Sequence, residues 1–213
     1  VDRLAQSRSR HGRRADELMW AFGDPQIKAV LAARGGYGNM RLFEGLNFDF
    51  IRRNPRIFIG FSDNSALLLA LAARCGLGGI HGQHLLTLPD APLETVSRCF
   101  RLISDPTPPG SLFDCEVLVL RAGKAEGRLL CANLSLLTNL LGTPYLPDLK
   151  GRVLVIEDVN EETYRIDRML THLHLAGALS ELAGLALGAF TLNSCQDAHN
   201  ELVWRRAIEL TAA

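Results

Sequence analysis

Ser62 stands in Gly60-Phe61-Ser62-Asp63-Asn64-Ser65, between the apolar run Arg56-Ile57-Phe58-Ile59 and a run of helix formers, Ala66 to Ala73. That order reads as a buried strand, a sharp turn and a helix. A serine at such a turn projects its hydroxyl beyond the carboxyl end of the strand. The Asp63 N–H points the same way, at a helix N-terminus, where developing negative charge is stabilised. This is the logic of a nucleophile elbow, with Asn64 where G-x-S-x-G has its last glycine. Ser62 and Asp63 are also good capping residues, and on the local pattern alone capping is the commoner reading.

Two further groups could serve such chemistry. Arg34-Gly35-Gly36-Tyr37-Gly38 follows an apolar run, Ile27 to Ala33, one strand-helix unit before Ser62. Glycines there let the backbone approach another group and expose its N–H groups, although a Gly-rich loop can be a plain tight turn. Glu157 and Asp158 close a second apolar run, Gly151 to Ile156, with Glu161 and Glu162 after them. A carboxylate at the end of a buried strand is costly unless it is paired or faces a cleft, so Glu157 or Asp158 is a site candidate. Helix capping is the plainer role for Asp158. His81 and His84 could act as base or ligand, but such histidines are more often hydrogen-bonded structural groups.

The elements that must position these residues follow from periodicity. The expected order begins with an exposed, poorly ordered basic lead-in over residues 1–14 and a short helix, Ala15 to Phe22. A strand, Ile27 to Ala33, then precedes a helix, Met40 to Ile51, capped by Asn39. After the Ser62 helix, Cys75-Gly76 supplies the terminating glycine. Residues 89–112 carry several prolines around a helix, Glu94 to Ile103, and read as a connection between lobes. The second half offers strands at Cys115 to Leu120, Gly127 to Leu134, Gly151 to Asp158 and Leu185 to Phe190. Helices are expected at Ser135 to Leu141, after Glu162 with Ile166, Met169, Leu170 and Leu173 on one face, and at Asp197 to Ala213. The fold class is α/β. A Rossmann-like parallel-sheet lobe over 1–88 and a linker over 89–112 precede a smaller α/β lobe over 113–213. In a parallel sheet the Gly35 and Ser62 loops share one carboxyl edge, where open α/β proteins place their sites.

Composition narrows the class. The chain has 213 residues, 47% of them hydrophobic, with 23 basic and 23 acidic side chains. The balanced charge gives no case for a nucleic-acid partner. No apolar run reaches the roughly eighteen residues a membrane span needs, and no signal peptide is expected at Val1-Asp2-Arg3. The five cysteines, Cys75, Cys99, Cys115, Cys131 and Cys195, lack metal-type spacing and read as reduced residues of a cytoplasmic protein. Neither a metal nor a cofactor is implied.

Taken in order, Arg34-Gly35-Gly36-Tyr37-Gly38, Gly60-Phe61-Ser62-Asp63, His81-Gly82, Asn133-Leu134-Ser135, Glu157-Asp158-Val159 and Tyr164 to Leu170 resemble the LD-carboxypeptidases. These are the murein tetrapeptide carboxypeptidases and the related microcin-immunity peptidases. The resemblance covers about residues 13 to 192 and reverses the reading of Ser62. It implies a serine peptidase with a Ser-Glu-His triad. Ser62 matches the nucleophile and Glu157 the acid that orients the base. Gly35, Gly36 and the Asp63 N–H match the oxyanion hole. It further implies a cytoplasmic homodimer that takes murein tetrapeptide or a similar small peptide, with catalysis between the lobes. Two departures stand out. The family's catalytic histidine lies in a Gly-His segment beyond Ala213, and none of His11, His81, His84, His172, His174 or His199 stands in that motif. The family's N-terminal strand-helix unit, before the region matching Arg13, is also mostly missing. A milder change is Cys131-Ala132 in place of the Gly-Gly usual before Asn133. The chain is therefore expected to match the middle of the enzyme, with both ends lost. An inactive or binding-only protein on the same fold is the alternative from a different class.

Overall fold

The computed structural model describes residues 2–107, 110–111, 117–191 and 196–211; the side chains of residues 2–11 and 196–199 fall outside the description. The chain divides into two compact units. The first holds Val1–Pro109 and Gly142–Pro147, the second Gly110–Leu141 and Asp148–Ala213.

The first unit is built on a parallel sheet of three strands in chain order: β1 Ala29–Leu31, β2 Ile57–Gly60 and β3 Ile80–His81. Helix α1 is longer than expected, running Asp2–Gly23. Its first turns are rich in Arg, Gln, Ala and Leu, which form helix readily even without an apolar stripe. The lead-in expected to be irregular is thus helical from Asp2. The single helix expected over Met40 to Ile51 is two elements, a 3-10 helix Asn39–Gly45 and α2 Phe48–Arg53. Asn47 breaks the run, because its side chain accepts the Phe50 N–H at 2.9 Å and starts a new helix there. Helix α3, Asn64–Cys75, ends on Gly76 at φ 69, the left-handed cap the sequence asked for. It is buried along Ser65 to Leu71 and packs with Phe58, Ile59 and Ile51. Helix α4, Leu93–Ser104, also belongs to this unit. Residues 142–147 join it through Tyr145, whose ring lies 4.5 Å from Phe43 and 5.8 Å from Phe48.

The second unit repeats the plan with β4 Arg128–Asn133, β5 Arg152–Val159 and β6 Gly184–Thr191, again parallel and in chain order. Helices α5 Leu134–Asn139, α6 Thr163–Leu175 and α7 Gln196–Thr211 accompany the sheet. Its core is Leu134, Leu137, Leu154, Ile156, Ile166, Leu170, Leu173 and Phe190, all essentially inaccessible. Of the strand expected over Cys115 to Leu120, Cys115 and Glu116 lie outside the described residues. Val117 to Leu120 form no strand and are mostly exposed. Their apolar run has no neighbouring strand to pair with among the described residues, and unpaired strands do not persist. No helix among the described residues is long and apolar enough to cross a membrane.

Candidate active site

Ser62 occupies the turn between β2 and α3 with φ 59, one of two non-glycine residues in left-handed backbone among the described residues. That conformation is disfavoured for a residue with a Cβ and persists only where the surroundings over-determine it. Several contacts do so here. The turn closes through Asn64 N–H to the Phe61 carbonyl at 3.2 Å and Ser65 N–H to the Ser62 carbonyl at 2.8 Å. Gly60 admits the close return of the chain, since a Cβ there would stand 2.9 Å from Asn64 Cβ and 3.0 Å from Ala32 Cβ. Ser62 itself is half-buried, and among the described residues its hydroxyl has no hydrogen-bond partner.

The Gly-rich loop lies against this turn. A Cβ on Gly35 would stand 3.1 Å from Ser62 Cβ and 3.1 Å from the His84 ring, so only glycine lets the loop come so near. Gly36, at φ 143, and Gly38, at φ 102, give the loop its path. The loop is tied down by side chains from the elbow. Asp63, 8% exposed, accepts the Gly38 N–H at 3.2 Å and the Asn39 N–H at 3.0 Å. Asn64 accepts from Asn39 Nδ2 at 2.9 Å and donates to the Arg34 carbonyl at 3.2 Å. Arg14 donates to Asn39 Oδ1. The Asp63 carboxylate therefore does not cap its own helix, as a local reading allows; it caps the 3-10 helix Asn39–Gly45 from across the sheet edge. Ser62, Asp63, Gly35 and Gly36 are thus close together in the first unit. A sequence reading misses the Asp63–Asn39–Asn64 network, because its partners lie 24 and 25 residues apart.

Three of the histidines are engaged elsewhere. His84 Nε2 donates to the Phe61 carbonyl at 3.1 Å, and its ring stacks on Phe61 at 3.9 Å and 15°. His81 Nδ1 is 3.4 Å from Ser65 Oγ. His174 Nδ1 lies 3.0 Å from the Leu210 carbonyl. None of the three is bonded to Ser62.

Glu157 belongs to the second unit. It sits in β5 opposite Asn133 of β4, half-buried with its Oε1 shielded from solvent. The β5–β6 register slips between Ile156 and Asp158, an irregularity of the kind that re-aims side chains near sites. Gly188 opposite it leaves 3.3 Å between a built Cβ and Glu157 Cβ. Asp158, 3% exposed, accepts from Asn133 Nδ2 at 2.9 Å, the Ser135 N–H at 2.9 Å and the Val159 N–H at 2.8 Å. It is a capping residue, though for α5 rather than the helix that follows it. Cys75 and Cys99 are buried and Cys131 partly so; burial pushes all three thiols up, Cys131 to about 11, so they stay protonated at neutral pH.

Known proteins supply the comparison. Residues 2–82 match the model of the LD-carboxypeptidase N-terminal domain and residues 126–212 that of its C-terminal domain. The chain is 40% identical over 180 residues to a probable murein peptide carboxypeptidase of Bacillus subtilis (strain 168), covering 83% of this chain and 56% of that protein. It is 37% identical over 188 residues to the murein tetrapeptide carboxypeptidase of Pseudomonas aeruginosa, covering 84% of this chain and 61% of that protein. Among solved structures it resembles a muramoyltetrapeptide carboxypeptidase from Oxalobacter formigenes, with TM-score 0.75 and 27% identity over 93% of this chain and 68% of that one. The chain thus spans somewhat more than half the length of the curated relatives it matches. With both domain models matched in order on two parallel-sheet units, the chain belongs to the LD-carboxypeptidase family.

Proposed function

We propose that this chain carries the nucleophile and the acid of a serine-type carboxypeptidase that cleaves an L,D-peptide bond and releases terminal D-alanine from murein tetrapeptide. The observation that carries the reading is Ser62, held in left-handed backbone at a strand-to-helix turn with the Gly35 loop against its Cβ. Strain stored at a serine in that position is what an exposed nucleophile requires.

In this reading Ser62 Oγ attacks the scissile carbonyl while a base takes its proton. The N–H groups of Gly35 and Gly36 and of Asp63 are the candidate donors to the oxyanion that forms. The Asp63 N–H has no acceptor among the described residues. Glu157 would hold the base in the tautomer that accepts the serine proton. The base is proposed to be a histidine in a Gly-His segment beyond Ala213, as the family resemblance implies; in support, none of His81, His84 and His174 is bonded to Ser62. The proposed setting is cytoplasmic peptidoglycan recycling by a homodimer; the names of the murein-peptide relatives support the substrate class alone.

The test is Ser62→Ala in the whole protein, assayed for D-alanine release from murein tetrapeptide. Turnover should fall about a thousandfold or more. Near-normal turnover would remove Ser62 from the role. A peptidyl-nucleotide assayed beside the tetrapeptide distinguishes the carboxypeptidase from the microcin-immunity type of activity; faster turnover of the nucleotide conjugate would overturn the substrate assignment.

A further inference from the structure

His84 is a buried histidine that the proposed chemistry leaves unused. It is 5% exposed and sits at the head of the 3-10 helix Leu85–Asp90. Its ring meets both Phe61 and the Gly35 loop. Nε2 meets the Phe61 carbonyl at 3.1 Å; a carbonyl can only accept, so Nε2 carries the proton. The same carbonyl takes Asn64 Nδ2 at 3.1 Å and the Asn64 N–H at 3.2 Å. One oxygen thus gathers three donors on the peptide group that leads into Ser62. That peptide group fixes the direction from which Ser62 enters its left-handed conformation. The same edge of the ring faces the Gly35 loop, with Cε1 3.1 Å and Nε2 3.2 Å from where a Gly35 Cβ would be. The face of the ring lies on Phe61 at 3.9 Å. The backbone carrying His84 is held independently of the ring, since Leu85 and Leu86 donate to the Ala32 and Ala33 carbonyls at 3.0 and 3.1 Å.

We infer that His84 is a positioning residue, pinning the Phe61–Ser62 peptide group and setting the distance between the Ser62 elbow and the Gly35 loop. It does not exchange protons with substrate. Its Nε2–H is spent on Phe61, and that bond holds the hydroxyl and the oxyanion donors in register. Misplacement of such a pair by even about 1 Å costs on the order of a hundredfold in rate.

The inference rests on the reading of Ser62 as nucleophile, and the experiment separates the two. In the whole protein, His84→Phe keeps the stacked ring and loses the donor, whereas His84→Gln keeps a donor of suitable reach and loses the ring. His84→Phe should lower kcat roughly 10- to 100-fold with KM within about twofold. His84→Gln should recover most of that loss. If His84→Phe does not fold, His84→Asn, whose amide is too short to reach Phe61, takes its place with the same expectation. Wild-type kcat in the donor-less variant overturns the inference. A fall in His84→Gln as deep as that of Ser62→Ala also overturns it, by making His84 the base. Ser62→Ala run in parallel tests the other reading, because an active Ser62→Ala removes the nucleophile itself. An inactive Ser62→Ala beside a fully active His84→Phe sinks only the positioning role.

Discussion

At the scale of the residue, the left-handed φ of Ser62 is the observation with the sharpest energetic content. A side chain with a Cβ in that region costs roughly 1 to 2 kcal/mol that glycine does not incur. Replacing Ser62 by alanine removes the hydroxyl and keeps the strain. Replacing it by glycine relieves the strain and gives back part of the gain through a more flexible unfolded chain. Ser62→Gly is therefore expected to be more stable than Ser62→Ala by up to about 1 kcal/mol, measured by denaturant unfolding of the two variants. If Ser62→Ala proves the more stable of the pair, the strain is not there. Both variants should be inactive, which separates the cost of the conformation from the chemistry of the oxygen. The other residues of the site differ in kind. Gly35 matters for what it lacks, since a Cβ there would press on Ser62 and His84 more closely than side chains ordinarily pack. Asp63 matters at both ends, with its N–H at the turn and its carboxylate on the loop opposite.

At the scale of the element, each sheet uses its middle strand in the same way. An aspartate at the carboxyl end of the strand, Asp63 just after β2 and Asp158 next to last in β5, reaches sideways to the start of the helix that follows the neighbouring strand. The link satisfies N–H groups that a helix start leaves unpaired. Asp158→Ala would strip α5 of the bond to Ser135 N–H and remove the carboxylate that accepts from Asn133 Nδ2. Charge-assisted bonds of this type make a loss of about 2 to 4 kcal/mol the expected result in urea unfolding. A loss below about 0.5 kcal/mol would mean that the cap is replaceable. The helix-forming run after Ser62 and the apolar run before it were legible from periodicity, and so were β5 and the buried face of α6. Three things were not. Asn47 splits a helix through a side-chain bond three residues away that competes with an otherwise helical pattern. The first turns of α1 carry no apolar stripe, so periodicity is silent about them. The capping role of Asp158 could be read but not its target, because a linear reading offers only local partners, whereas the actual one is 23 residues back. The position of Ser62 at a turn could be read; its backbone angle, which depends on Phe61, Asn64 and His84 together, could not.

At the scale of the molecule, two units of similar plan each carry part of the proposed machinery, Ser62 and the Gly35 loop in one and Glu157 in the other. A serine hydroxyl is a weak nucleophile at neutral pH unless a base removes its proton during attack. Among the described residues no imidazole is bonded to Ser62, and an ordinary carboxylate has little drive to take that proton. The 213-residue chain by itself is accordingly expected to release no D-alanine from murein tetrapeptide, while the whole protein does. Purified samples of both, assayed side by side at equal concentration, decide the matter. Equal turnover would mean that one of the six histidines present is the base and that the proposed triad is wrong.

The repeated aspartate clamp also bears on descent. In the first unit it spans 24 and 25 residues, in the second 23 and 25, and in both it joins the end of the middle strand to the head of the helix that follows the neighbouring strand. Two copies of one ancestral strand–helix–strand module account for that match more simply than two inventions. What differs is the residue just before the aspartate, a serine in one copy and a glutamate in the other. A duplicated scaffold that freezes the backbone beside one position leaves that position free to diverge, so a single inherited fixture would have served as the mount for two unlike chemical groups.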